Sequence, residues 1–150
     1  MRSAASESLP LADGAADLVV AFMSLQDIDA LEVAVAECAR VLRRGGKLCA
    51  AIVHPINSAG EFEGQAADSP FSIRGSYLEE RRYSQSLERA GLRMTMHSTH
   101  RPLESYSCAF EAAGLLIEAI REPPALDIAG AMPERSRRWP ACRSSCTCAR

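Results

Sequence analysis

The chain has 150 residues, of which 47% are apolar and 24% charged, and its formal net charge is −2. That composition fits one ordinary globular domain, and the near-neutral balance excludes nucleic acid or an anionic membrane as the expected main partner. No apolar run approaches the roughly 18 residues of a membrane helix, and Met1–Glu7 lacks the apolar core of a secretory signal, so a cytoplasmic location is expected.

The first clear element is Leu18–Phe22. It is short, apolar throughout and rich in β-branched residues, as suits a strand covered on both faces. A helix is predicted next, with Asp27 or Asp29 as N-cap. Leu31, Ala34, Val35, Cys38, Val41 and Leu42 recur at three- and four-residue spacing and make one apolar face. Arg40, Arg43 and Arg44 suit the negative end of the helix dipole, and Gly45-Gly46 is expected to stop the helix. Lys47–His54 is a second apolar strand. Strand, helix and strand form a βαβ unit with parallel strands and a right-handed crossover.

Pro55–Pro70 is polar and contains glycine, and reads as a loop or mobile cover. Tyr83–Leu87 and Leu92–Ser98 are expected to pair as a hairpin around Glu88–Gly91. Arg101-Pro102 opens another helix, with Leu103, Tyr106, Ala109, Phe110 and Ala113 on one face, ended by Gly114. Leu115–Ile120 is then a strand, broken by Glu122-Pro123-Pro124. No internal repeat is visible.

Six cysteines are present. Cys38, Cys49 and Cys108 lie in apolar contexts and read as buried thiols. Cys142, Cys146 and Cys148 have spacings unlike common zinc ligand pairs, and His97 with His100 lacks neighbouring ligands. No metal site is expected.

The order of elements resembles the second half of a class I S-adenosylmethionine-dependent methyltransferase, in particular the small-molecule type 11 group. The resemblance is carried by Leu9-Pro10-Leu11, Asp13-Gly14, Ala16–Val20 and Ala39–Leu48, and further by His100–Glu104 with Ala112–Leu115. It implies a partial Rossmann-like α/β sheet, strands 4 to 6 of seven, with helices and a hairpin excursion over residues 55–100. It also implies that the N-terminal half is missing, because no G-x-G-x-G pattern occurs to let backbone approach the ligand. The truncated domain then spans residues 1–139.

The resemblance implies S-adenosylmethionine as methyl donor, a small-molecule methyl acceptor and a set of site residues. Phe22, Met23 and Ser24 close the first strand and would lie near the sulfonium. Ser6 would follow the position that meets the adenine edge, where the family's acid is replaced by Ala5. His54 is expected on the substrate side as a general base, or else as a strand cap through a hydrogen bond. His100 is a second candidate base in the substrate pocket, with Tyr77 and Tyr83 as lining or as plain packing. Alternatives from other classes are a non-enzymatic remnant of a damaged gene, and a helper subunit completed by a complementary chain.

The last segment, residues 140–150, is expected to be irregular, since Cys142–Cys148 has no strand pattern. Read one base back with plausible codons, C-R-S-S-C-T-C becomes V-P-L-F-L-H-L, an apolar strand, so a frameshift near Trp139 is expected to have produced this tail.

Overall fold

The computed structural model describes residues 8–64, 66, 68–89, 91–122 and the backbone of 145–149. Strand β1 (Ala16–Phe22) pairs in parallel with β2 (Leu42–Ile52), and helix α1 (Leu31–Val41) makes the crossover between them. The predicted βαβ unit is therefore present. The periodicity explains why: Leu31, Ala34, Val35 and Val41 of α1 are buried against Leu48, Ala50 and Ile52 of β2. Helix α3 (Leu103–Ala112) joins the same core through Tyr106, Ala109 and Phe110.

Several boundaries differ from the sequence reading. Neither Asp27 nor Asp29 caps α1. Its N-cap is Ala30, without a side-chain bond, while Asp27 closes a short 3-10 turn, Leu25–Asp27. The chain turns twice between β1 and α1, and a local rule sees one turn. Gly45-Gly46 does not stop the helix either. The α1 helix ends at Val41, and the glycines sit in a bulge where the register jumps from Ala16 opposite Leu42 to Leu18 opposite Lys47. Gly45 takes φ 76° there, and a Cβ on Gly46 would meet the Arg43 carbonyl oxygen at 2.9 Å.

The segment read as a loop carries structure. Ile56–Ala59 is a single helical turn, α2, followed by β3 (Gly60–Phe62), which pairs antiparallel with β4 (Phe71–Ile73). Phe62 and Phe71 meet edge to face, with centroids 5.1 Å apart, which gives this polar stretch its own small apolar anchor. The predicted hairpin exists and is longer than expected: β5 (Arg81–Arg89) pairs with β6 (Leu92–His100).

Strand β7 (Ile117–Arg121) and β8 (Ser145–Ala149) complete the main sheet in the order β1-β2-β8-β7. Strand β8 is antiparallel to both neighbours, so β1, β2 and β7 run in one direction. This corrects the expectation of an irregular tail over these five residues. Backbone pairing needs no apolar side chains, and a strand slot between β2 and β7 offers two ladder edges at once. The rest of the expected tail lies outside the described residues.

Strand β1 forms one edge of the sheet. Its alternate residues Val19 and Ala21 face the core, while Leu18, Val20 and Phe22 are 57%, 61% and 74% exposed. An apolar row on an open edge strand is the feature that a partner or a further part of a sheet ordinarily covers. Among the described residues, no helix is long and apolar enough to cross a membrane.

Candidate functional site

Because β1 and β2 are parallel, their carboxyl ends lie side by side. Met23 follows β1 immediately and has φ 52°, the only positive φ of a non-glycine residue among those described. Its N–H donates to the Ala51 carbonyl at 2.8 Å, and its own carbonyl accepts from Gln26 Nε2 at 2.8 Å. The left-handed conformation costs an ordinary residue about 1–2 kcal/mol and tends to cluster where ligands are held.

A cavity of about 300 Å³ opens beside Met23. Val53 and Ser58 contribute from the segment after β2, Met96 from the hairpin, and Arg101 and Tyr106 from the start of α3. Arg101 is only 5% exposed. Its Nη2 donates to the carbonyls of Ile28 at 2.8 Å and Asp29 at 2.9 Å, and its Nε lies 3.7 Å from Glu80 Oε2. Its Nη1 is buried and has no hydrogen-bond partner. The Gln26 amide, also on the cavity wall, is in the complementary state: Nε2 donates to Met23 and Asp27, whereas the buried Oε1 accepts from nothing. Burial pushes the Tyr106 hydroxyl up from its ordinary pKa, and the charge of Arg101 and a side-chain hydrogen bond with it oppose that shift.

His100 is fully buried. Its Nε2 is 2.9 Å from the Tyr77 carbonyl oxygen, which can only accept, so Nε2 carries the hydrogen. Nδ1 is 2.7 Å from Ser58 Oγ and accepts from that hydroxyl, which has the Pro55 carbonyl at 3.1 Å as its other acceptor. The ring also stands edge to face on Tyr77, centroids 5.8 Å apart, and the Tyr77 hydroxyl accepts from the Leu103 N–H. His100 therefore lines no open surface. It ties the segment after β2, the Tyr77 turn and the end of β6 together, and it reaches the cavity only through Ser58.

His54 lies two residues beyond β2. The Ile56 N–H donates to its Nδ1 at 3.1 Å, and its Nε2 faces Glu122 Oε1 at 2.7 Å. The single lone pair of the neutral ring is thus already occupied, which is the capping arrangement and leaves no free base. Phe22 is mostly exposed, and of the half-buried Met23 and Ser24 it is Met23 that lines the cavity. Ser6 lies outside the described residues. Tyr83 lines the cavity, whereas Tyr77 serves as scaffold. His97 Nδ1 is engaged with Ser84 Oγ at 2.8 Å, and no group of three or more metal-ligating side chains occurs among the described residues.

Sequence reasoning missed Arg101, Gln26 and Ser58. Arg101 reads only as the residue before a helix, and Gln26 and Ser58 sit in single helical turns without a motif. Their convergence is tertiary, and no spacing signals it.

Three co-directional strands with an antiparallel strand inserted between the last two, and a cavity at the carboxyl ends, define the fold class of the class I S-adenosylmethionine-dependent methyltransferases. The solved structures agree. The chain matches an S-adenosylmethionine-dependent methyltransferase from Mesorhizobium loti with a TM-score of 0.72 at 19% identity, covering 98% of this chain and 67% of that one. It matches a Listeria monocytogenes structure assigned to the same class with a TM-score of 0.73 at 16% identity, covering 97% of this chain and 66% of that one. At such identities these likenesses show the fold. Residues 1–50 match the family described as methyltransferase domain. Over 43 residues the chain is 49% identical to malonyl-[acyl-carrier protein] O-methyltransferase of Methylococcus capsulatus, a match covering 29% of this chain and 16% of that protein. The chain thus has the fold of the class I methyltransferases, and the match spans a small part of that curated relative.

Proposed function

We propose that this chain is the acceptor-side part of a cytoplasmic S-adenosylmethionine-dependent methyltransferase that acts on a small molecule. The observation that carries this reading is the cavity at the carboxyl ends of parallel β1 and β2, opening beside the left-handed Met23. Strands β1, β2 and β7 correspond in this reading to strands 4, 5 and 6 of the family's seven.

The residues present fit one end of the donor. Phe22 offers an exposed ring, and Met23 lines the cavity directly after it. The glycine-rich backbone cradle is absent from the sequence, and the exposed row Leu18, Val20 and Phe22 supports a complementary piece of sheet, on further sequence or on a separate chain. S-adenosylmethionine, when bound, supplies a methyl group already activated on a sulfonium. The chain's task is then alignment of the acceptor and exclusion of water. Ser58 is the hydroxyl placed to receive a proton from a hydroxyl or amine acceptor while passing its own to His100 Nδ1, so His100 is the base that acts through Ser58.

Titration with S-adenosylhomocysteine, followed by backbone amide signals, tests the placement. Shifts are expected at Phe22, Met23 and Ser24. Shifts confined to other elements, or none at the solubility limit, would refute it.

A further inference from the structure

We infer that Gln26 is a positioning residue of the cavity: its amide nitrogen holds Met23 in the left-handed conformation and, through Asp27, ties that turn to Ser98 on the hairpin. The link to the methyl donor rests on the reading proposed above, whereas the hydrogen-bonded latch itself does not.

Two bonds fix the two peptide groups that flank the Met23 Cα. On one side the N–H donates to the Ala51 carbonyl of β2 at 2.8 Å, just beyond the end of β1. On the other side the Met23 carbonyl accepts from Gln26 Nε2 at 2.8 Å. A methionine leaves φ 52° unless its surroundings over-determine it, because the left-handed region crowds Cβ against the following carbonyl. The first bond is backbone to backbone. The second depends on a single side chain, so Gln26 decides whether the Met23 carbonyl is held or free to rotate.

Gln26 Nε2 also donates to Asp27 Oδ2 at 3.1 Å, and Asp27 Oδ1 accepts from the Ser98 hydroxyl on β6 at 2.6 Å. A continuous chain of bonds thus runs from the end of β1 to the hairpin, and Met23, Gln26, Asp27 and Ser98 all line the cavity. The donor-side and acceptor-side walls are set as one piece. Glutamine suits the middle of this chain. Both its partners are acceptors, a carbonyl and a carboxylate, so the amide must present nitrogen to them, and a glutamate of the same shape would present oxygen. The orientation has a cost, since it leaves Oε1 buried without a partner, and an apolar side chain would fill the same space without it. The two donated bonds offset that cost.

The test follows Met23 by nuclear magnetic resonance. In the parent chain a strong intraresidue amide-to-Hα Overhauser effect should mark the positive φ. Gln26→Leu keeps the bulk and removes both donors, and Gln26→Glu keeps the shape and removes them. Both are expected to lose the effect at Met23 while the amides of α1 and β2 stay protected from exchange. Ser98→Ala, which cuts the far end of the chain of bonds, is expected to shift the Gln26 side-chain amide and Met23 amide signals. An Overhauser effect that survives in both Gln26 variants overturns the inference. So does a Ser98→Ala chain in which neither signal moves, and that variant decides the matter should the Gln26 variants fail to fold. At a fixed concentration of S-adenosylhomocysteine, the shifts at Phe22 and Ser24 are expected to fall about fivefold in Gln26→Glu, the scale of one lost hydrogen bond, and undiminished shifts overturn the positioning role. Loss of the Met23 effect in the variants, with no S-adenosylhomocysteine shifts in the parent, sinks the methyltransferase reading alone. Shifts in the parent, with Met23 unmoved in the variants, sink the latch alone.

Discussion

His100→Phe separates the scaffold role of His100 from plain filling. The substitution keeps a flat ring in a fully buried position and keeps the edge-to-face contact on Tyr77. It removes the bond to the Tyr77 carbonyl at 2.9 Å and the bond to Ser58 Oγ at 2.7 Å. The Ser58 hydroxyl retains the Pro55 carbonyl at 3.1 Å, so its donor is not orphaned. The Tyr77 carbonyl loses its partner, at a cost of about 1–3 kcal/mol, and the lost Ser58 bond adds about 1 kcal/mol. A loss of about 2–4 kcal/mol follows. With a urea slope of about 2 kcal/mol/M, the midpoint should fall by about 1 M or more. Equilibrium urea unfolding of the chain, followed by circular dichroism, measures this directly. A fall below about 0.3 M at unchanged slope would refute the clamp.

Three further outcomes are expected. Arg40 and the Leu9 N–H hold the Glu37 carboxyl down to about 2 from 4.5, so its contribution to folding is complete above about 4.5 and disappears as pH falls through about 2. Glu37→Gln should therefore be less stable than the parent at pH 7 and equal to it below pH 2, as measured by urea midpoints across that range. Gly60→Ala should part the β3–β4 pair, because the new Cβ would collide with the Ser72 carbonyl oxygen. Amide exchange should rise over residues 60–73 while α1 and β2 stay protected. Replacing Leu18 and Val20 by Lys should reduce self-association in sedimentation runs without loss of stability, since both are more than half exposed.

The sequence made the βαβ unit and α3 legible because burial imposes a period. Leu31, Ala34, Val35 and Val41 are buried in the helix that their spacing predicts. The hairpin was legible from two polar-alternating runs around Gly91. The turns were not: Asp27 closes a 3-10 turn rather than capping a helix, and Gly45-Gly46 forms a bulge, because two or three residues specify each and several conformations accept them. Strand β8 was illegible because Ser-Cys-Thr-Cys-Ala gains its place from the two strand edges beside it. In the site, Met23 was named from the family resemblance. Arg101, Gln26 and Ser58 meet only through folding, and the unpaired atoms of Arg101 and Gln26 are visible only once burial is known.

The central claim is that this chain carries an acceptor cavity and only one wall of the donor site. Calorimetric titration of the chain with S-adenosylmethionine tests it most directly. Binding no tighter than about millimolar, near −4 kcal/mol, is expected. A micromolar dissociation constant would contradict it, because the described residues would then be holding the whole donor.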